Sequence, residues 1–227
     1  MIEALASKVS GDADVPLFRQ REVGTVGILV ITSDRGLCGS YNSNLLLALR
    51  KQVEELQAAG KKVKFWCYGR KGYAWLTRRG YDVERFFVEP PLDKADFGAA
   101  RMIGQALVEA FESGMVDEAR LYYSRFQSMI KFVPTNAAFL PIATIAVGAD
   151  AEHKYELDFL LEPDATTVFN RLMPRYLETV VFDAMLQALA SEHASRRMAM
   201  KGATDAATRM NKGLKKVYNR ARQENIT

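Results

Sequence analysis

The sequence is poor in the side chains that most often carry enzyme chemistry. Its 227 residues include two histidines and two cysteines, and these do not cluster at the spacing of a metal site. Cys38 and Cys67 lie in apolar surroundings, make no disulfide framework and favour a reducing compartment. No apolar run approaches the roughly 20 residues that a membrane-spanning helix needs. The first residues also lack the charged and apolar regions of a signal peptide.

The chain also lacks a phosphate-binding fingerprint, although it has a loop at a place where α/β proteins bind phosphates. Residues 33–40 read SDRGLCGS, between an apolar strand pattern and a helix pattern. Gly36 and Gly39 do not form G-x-G-x-x-G, and no Gly-Lys-Ser/Thr follows them. Cys38 has no histidine near it in sequence to act as a base, which favours a structural thiol over a nucleophile. An α/β enzyme or nucleotide-binding domain that uses this loop is one open alternative.

What the chain does contain is an alternation of strand and helix patterns. Apolar, β-branched runs predict five strands, at 24–32, 62–69, 81–88, 119–126 and 131–140. Helix patterns separate the first four strands, at 42–59, 70–79 and 97–113. Pro134 places the last strand near an edge. The order predicts a Rossmann-like α/β domain with a parallel or mixed sheet.

The C-terminal part of the chain predicts one long helix from Pro174 to Thr227. Pro174 suits a first helical turn, after a short helix that Asp164 caps and that ends at Leu172. About 54 residues at 1.5 Å each give a helix of roughly 80 Å, whereas the α/β body is roughly 40 Å across. About half of the helix is therefore expected to project beyond the domain. The alternative is a helix packed along its whole length.

The projecting half of this helix carries a heptad seam. Apolar or small residues recur at alternating spacings of three and four, at Met200, Ala203, Ala207, Met210, Leu214, Val217 and Ala221. A seam of this kind needs a second helix to cover it, and we call these seven positions the seam. The pattern predicts a coiled coil whose partner must come from elsewhere.

Positive charge is concentrated on the same half of the helix. Residues 196–222 contain nine basic residues and one acid, whereas the rest of the chain has 22 basic and 26 acidic residues. This asymmetry predicts an acidic partner surface or a polyanion, or else a solvated face. Nucleic-acid binding is therefore another open alternative, although a groove-reading helix has no use for an apolar seam among its cations.

Two segments of the chain resemble one known family. Residues 32–44, TSDRGLCGSYNSN, resemble the strand-to-helix loop of the γ subunits of F-type ATP synthases, and residues 190–227 resemble their signature helix. EPD at 162–164 and LMPRYLE at 172–178 are similar in the same order. The resemblance implies that the C-terminal helix forms one half of an antiparallel coiled coil, with an N-terminal helix as the other half.

The resemblance also implies how the chain divides. Residues 1–16 are expected to be the remnant of the N-terminal helix and a linker, because most of that helix and the extreme C-terminus of the family have no counterpart here. Residues 17–163 are expected to form the α/β domain. Residues 164–227 are expected to form the long coiled-coil helix.

The function that the resemblance implies is mechanical and not catalytic. In the family, γ is the central-stalk rotor that couples proton-driven rotation of a membrane ring to ATP synthesis at the β subunits. The implied partners are the α and β subunits of the catalytic hexamer, an ε-type stalk subunit and the membrane c-ring, with no cofactor and no nucleic acid. The implied location is peripheral, on the cytoplasmic face of the bacterial plasma membrane, or on an organellar inner or thylakoid membrane in a eukaryote.

The resemblance implies three groups of contact residues. Those expected to contact the β subunit are Arg222, Gln223, Thr227, Lys201, Lys212 and Lys216. Those expected to contact the membrane ring are Phe159, Leu161 and Glu162. The third group is the seam, which is expected to contact the N-terminal helix.

Overall fold

The computed structural model describes residues 16–142 and 165–226, which form an α/β domain and one very long helix. The strands are β1 Thr25–Ile31, β2 Lys62–Tyr68, β3 Val83–Phe87, β4 Glu118–Ser128 and β5 Lys131–Leu140. The helices are α1 Tyr41–Ala58, α2 Arg70–Thr77, α3 Phe97–Glu112 and α4 Ala165–Ile226. Short 3₁₀ turns lie at Pro16–Phe18 and Leu92–Lys94.

The five strands form one mixed sheet in the order β3-β2-β1-β4-β5. The first four run parallel, and β5 pairs antiparallel with β4. Pro134 lies on β5, at the edge of the sheet, where a missing backbone donor is tolerated. The predicted Rossmann-like α/β domain with a mixed sheet and a long C-terminal helix is confirmed.

Each face of the sheet is covered by helices, because successive side chains of a buried strand point to opposite faces. On β1, Val26, Ile28 and Val30 join the core beneath α1 and α2. Leu29 and Ile31 join the other core, beneath α3 and α4. This accounts for the uninterrupted apolar run of β1, since both faces of the strand are dry.

Helix α4 begins earlier than the sequence predicts. It is continuous from Ala165 and contains Pro174 in its interior, so the prediction that Pro174 opens the helix is wrong. A proline inside a helix lacks one hydrogen bond and costs about 3 kcal/mol. The adjacent Met173 and Leu177 are both buried in the core with α3, and their burial offsets that cost.

The first and second halves of α4 have different surroundings. Between Met173 and Ser195 a stripe of residues at helical spacing is buried, mainly against α3 and β4. From Lys201 to Ile226 every residue is exposed, a stretch of about 26 residues or roughly 39 Å. The predicted projection of the helix beyond the domain is confirmed. The alternative, a helix packed against the domain along its whole length, is wrong.

The remaining predictions concern the ends of helices and strands, and some of them fall outside the described residues. Asp96 caps α3 as predicted, with its side chain accepting from the Ala99 amide at 2.9 Å. Strand β3 begins at Val83 instead of residue 81. The predicted N-terminal helix and linker, the Asp164 cap and the extended piece at 156–164 lie outside the described residues.

Gly69 allows β2 to turn sharply into α2, which yields the first stability prediction. Its φ is +105°, and a Cβ there would lie 2.2 Å from the backbone oxygen of Thr32. Gly69→Ala should therefore lower the free energy of unfolding by at least about 3 kcal/mol, measured by urea denaturation.

Gly60→Ala is the matched control, because Gly60 also has a positive φ, +76°, but nothing lies within 4 Å of the added Cβ. It should cost about 1 kcal/mol, the conformational term alone. Equal losses in the two variants would show that the close approach of Gly69 to Thr32 does not limit this turn.

Candidate interaction surface and the socket of the long helix

The crevice at the carboxyl ends of β1 and β4 is where open α/β sheets usually bind ligands, because the strand order reverses there. In this chain the crevice holds part of α4. The loop after β1 and the second half of β4 both contact this helix through backbone carbonyls. The place of a ligand is thus taken by a helix of the same chain.

Three buried hydroxyl groups fix α4 in this crevice. Ser195 Oγ donates to the Cys38 carbonyl at 2.6 Å, and Ser191 Oγ donates to the Ser124 carbonyl at 3.0 Å. Tyr41 Oη donates to the Ala188 carbonyl of α4 at 3.2 Å. We call this set of residues (Cys38, Tyr41, Ser124, Ala188, Ser191 and Ser195) the socket. Each bond is worth about 1 kcal/mol, and a buried carbonyl left without its donor costs about 1–3 kcal/mol.

Tyr41 is fully buried although it stands at the first turn of α1. Burial, together with the nearby Glu192 and Cys38, raises the pKa of Tyr41 well above its ordinary value. The phenol therefore stays protonated and keeps its donor. Its ring also faces Phe132 of β5 at a centroid distance of 6.3 Å, so the side chain joins α1, β5 and α4.

The loop after β1 is braced from within. Ser33 Oγ donates to the Arg35 carbonyl at 2.7 Å, and Asn42 Nδ2 donates to Ser33 Oγ at 2.7 Å. The Asp34 carboxylate accepts from the amides of Arg70 and Leu92, both at 3.1 Å. These contacts tie the loop to α1, to α2 and to the Leu92–Lys94 turn.

At the tip of this loop Leu37 adopts a left-handed conformation, with φ at +60°. A non-glycine residue persists in that region only when its surroundings determine it. Leu37 itself is exposed, so the constraint comes from its neighbours. Hydrogen bonds within the domain thus hold the loop that receives α4.

Two buried glutamates of α4 have arginine partners. Glu192 pairs with Arg196 at 2.5 Å, and Arg196 also donates to the Gly36 carbonyl at 3.4 Å. Glu178 pairs with Arg101 of α3 and with Arg175, both at 3.3 Å. A buried carboxylate needs such partners, because an unpaired charge away from water is costly. The pairs lie at the two ends of the buried half of α4.

The projecting half of α4 presents the seam and the basic residues to solvent. Met210, Leu214 and Val217 are between 63% and 69% exposed, which is high for large apolar side chains. Of the nine basic residues between 196 and 222, Arg196 and Arg220 have carboxylate partners among the described residues. The surface is apolar along one line and positively charged around it.

The structure places most of the predicted contact residues on this projecting surface. Lys201, Lys212, Lys216, Arg222 and Gln223 are all exposed on α4. So are the seven seam residues, with no helix covering them among the described residues. The predicted contacts Phe159, Leu161, Glu162 and Thr227 lie outside the described residues.

Sequence reasoning missed the socket. Its partners in the folded chain lie 67 to 157 residues apart, and no local spacing reveals them. One signal was available, the small residues at alternating spacings of four and three on the N-terminal side of the seam, at Ala184, Ala188, Ser191 and Ser195. Small residues at such spacing allow a helix to approach its neighbours closely.

The alternative of a reactive Cys38 is not supported by its surroundings. The thiol is buried, and its sulfur accepts from Asn42 Nδ2 at 3.3 Å. Neither described cysteine forms a disulfide, and within residues 16–142 and 165–226 no cluster of three metal-binding side chains occurs. Burial raises the pKa of the Cys67 thiol, which keeps it unreactive. No described helix is long and apolar enough to span a bilayer.

Comparison with known proteins finds matches that extend over the whole chain. The family model described as ATP synthase matches residues 1–227. The ATP synthase gamma chain of Pseudarthrobacter chlorophenolicus is 40% identical over 231 residues, which cover 100% of this chain and 77% of that protein. The gamma chain of Staphylococcus haemolyticus is 35% identical over 228 residues, with the same coverage of both chains.

Solved structures share the fold. A chain of the central stalk and c-ring structure of the Tetrahymena thermophila mitochondrial ATP synthase superposes with a TM-score of 0.60 and 22% identity, covering 89% of this chain and 94% of that one. A rotor chain of the Euglena gracilis mitochondrial ATP synthase gives a TM-score of 0.63 and 17% identity, covering 100% and 88%. The arrangement of a sheet domain with a projecting helix is therefore common to these proteins.

The contrast between the two halves of α4 leads to a prediction for the isolated chain. Leu177→Ala removes a buried side chain and should lower the free energy of unfolding by about 2–5 kcal/mol. Leu214→Ala, the same change at the exposed seam, should alter it by less than about 0.5 kcal/mol. Urea denaturation at low protein concentration measures both. A loss at Leu214 as large as that at Leu177 would mean that the seam is already covered in the isolated chain.

Proposed function

The chain belongs to the ATP synthase γ-chain family, and we propose that it works as the central-stalk rotor subunit of an F-type ATP synthase. The observation that carries this proposal is the projecting half of α4, an exposed and basic helix whose other half is buried against an α/β domain. A helix with an uncovered heptad seam has a partner helix as its natural complement. A body that fixes the base of such a helix can turn it as a shaft.

The seam is the proposed contact with a second helix of the same shaft. Three of its seven positions are alanine, which allows two helices to approach closely. The family resemblance supplies the occupant, an antiparallel N-terminal helix. Together the two helices would present mostly polar and basic residues outward, as a shaft that turns inside a ring of other subunits requires.

The basic face, formed by Lys201, Lys212 and Lys216 on the projecting half of α4, is the proposed contact with the β subunits. Lys201, Lys212 and Lys216 carry charges for which the described residues offer no carboxylate partner, so an acidic segment on a neighbouring subunit complements them. Arg222, Gln223 and Thr227 are the proposed polar contacts near the tip. Coupling then follows from contacts that differ as the shaft presents different faces to each β subunit.

The remaining assignments follow from the family. We infer that Phe159, Leu161 and Glu162 face the membrane c-ring, that an ε-type subunit joins the stalk, and that nucleotides are bound by the α and β subunits. This chain has no catalytic site of its own in this proposal and needs no cofactor. The solved relatives named for a central stalk, a rotor and a c-ring support this set of partners. The complex is membrane-bound. The subunit is peripheral to the membrane and lies on its cytoplasmic face in a bacterium.

The two alternatives have weaker support. A nucleotide-binding domain would need the crevice at β1 and β4, where the socket residues and α4 lie. A nucleic-acid-binding helix would not expose Met210, Leu214 and Val217 among its cations. Neither alternative uses both the seam and the charge, whereas a rotor uses both.

Association with the α and β subunits tests the proposal. The chain should co-purify with tagged α and β subunits at about 0.1 M salt, where charges within about 10 Å still attract. The double variant Lys212→Glu/Lys216→Glu should bind at least about tenfold more weakly and lose much of the salt dependence, because it reverses the sign of the basic face. The measurement is the bound fraction as a function of salt concentration.

The matched control is Lys61→Glu/Lys62→Glu, which makes the same change of net charge on the α/β domain, at the start of β2. It should bind as the unaltered chain does. Equal weakening by both double variants would show that net charge, and not the basic face of α4, governs binding. No association of the unaltered chain at this salt concentration would reject the rotor assignment.

A further inference from the structure

Ser195 is the last buried residue of α4 before the helix leaves the domain. From Lys201 to Ile226 the helix continues as an exposed arm of roughly 39 Å, so any force applied near the tip acts on the base with a long lever. The contacts at residues 188–196 therefore determine whether the helix and the domain move as one body. These contacts deepen the proposed rotor function and rest on it.

Apolar packing alone holds the base of the arm poorly against rotation about the helix axis. The apolar residues that α4 fully buries nearest its exit are alanines, Ala188 and Ala194, and dispersion contacts are not directional. A smooth, small-residue face can roll or slide on its neighbours. Hydrogen bonds resist rolling because they weaken steeply when the donor leaves its line with the acceptor.

The socket supplies such directional contacts on separate elements. Ser195 binds the loop after β1, Ser191 binds the second half of β4, and Tyr41 reaches α4 from α1. Two of these bonds are donated by the helix and one is received by it. A roll of α4 would misalign all three together, because they lie on one side of the helix over about two turns.

The acceptor of Ser195 is itself fixed. Cys38 lies between Leu37, with its left-handed backbone, and Gly39, whose added Cβ would meet Ser195 Oγ at 3.5 Å. Asn42 and Ser33 brace the same loop. A force passed through the Ser195 bond therefore reaches the sheet and not a yielding segment.

We propose that Ser195 and Tyr41 are positioning residues that lock α4 against rotation at its exit, so that torque passes between the shaft and the α/β domain through the loop at residues 33–40. Neither side chain contacts a partner subunit in this proposal. Each acts by holding the helix at a fixed azimuth. The seam and the basic face then keep a fixed direction relative to the domain.

The first test measures the motion of the arm directly in the full chain. Spin labels are placed on Glu54→Cys, in the exposed part of α1, and on Asp205→Cys, on the projecting half of α4. Pulsed EPR gives the distribution of distances between them. The distribution should broaden about twofold in Ser195→Ala/Tyr41→Phe, because two of the three directional contacts of the socket are lost while the packing atoms remain.

Three controls accompany this measurement. Thr179→Ala removes a hydroxyl of α4 that binds the Arg175 carbonyl within the same helix, and it should leave the distribution unchanged. Ser195→Thr keeps a hydroxyl and should restore a narrow distribution. Each single variant is measured as well, in case the double variant does not fold. An unchanged width in both single variants, with their folding confirmed by circular dichroism, would overturn the proposal.

The second test uses the assembled synthase in inverted membrane vesicles. A locked shaft should be needed to couple ATP hydrolysis to proton pumping. The number of protons pumped per ATP hydrolysed should therefore fall at least about threefold in the double variant, while the rate of ATP hydrolysis changes by less than about twofold. A merely structural role would lower the melting temperature and leave the ratio intact, which would contradict the proposal. If the unaltered chain did not support pumping at all, the proposed rotor function would be rejected. The widths of the EPR distance distributions would still test whether Ser195 and Tyr41 lock α4.

Discussion

The fold depends on the contact between the first half of α4 and the crevice of the sheet. Buried hydroxyls of Tyr41, Ser191 and Ser195 bind backbone carbonyls of distant segments, and small residues let the helix approach closely enough for these bonds to form. The buried Glu178 and Glu192 add ion pairs with arginines to this contact. Through these contacts the first half of α4 becomes part of the core, while its second half projects from the domain. The helix also occupies the crevice in which open α/β sheets usually bind a ligand.

The exposed half of α4 carries a seam that no described helix covers. An apolar seam surrounded by cations is unfavourable for a protein that acts alone, since large apolar side chains remain in water and like charges repel. Both features become favourable when a helix covers the seam and acidic surfaces face the cations. In the proposed rotor, assembly with other subunits would stabilise this region, whereas the α/β domain is stabilised by contacts within the chain.

The sequence predicts those parts of the structure that follow from local periodicity. The β-branched run of β1, Pro134 at the edge and the alternating spacing of the seam each indicated the correct element. Pro174 misled, because its local cost is outweighed by the burial of Met173 and Leu177, which no local rule contains. The socket was missed because a serine hydroxyl that binds a backbone carbonyl more than a hundred residues away leaves no periodic signal. The charge pattern of α4 predicted its exposed residues well, since exposure of long charged side chains needs no tertiary information.

The difference in width between the two halves of the molecule has a consequence of its own. Five strands about 4.8 Å apart make a sheet roughly 20 Å across before its helices are added, whereas a helix is about 10–12 Å in diameter. A bore that closely fits this single helix is therefore too narrow for the domain. In the proposed rotor, the step in width between Ser195 and Lys201 would therefore limit how far α4 enters such a bore. It would set the axial register between α4 and the wall around it, independently of the affinity of any single contact.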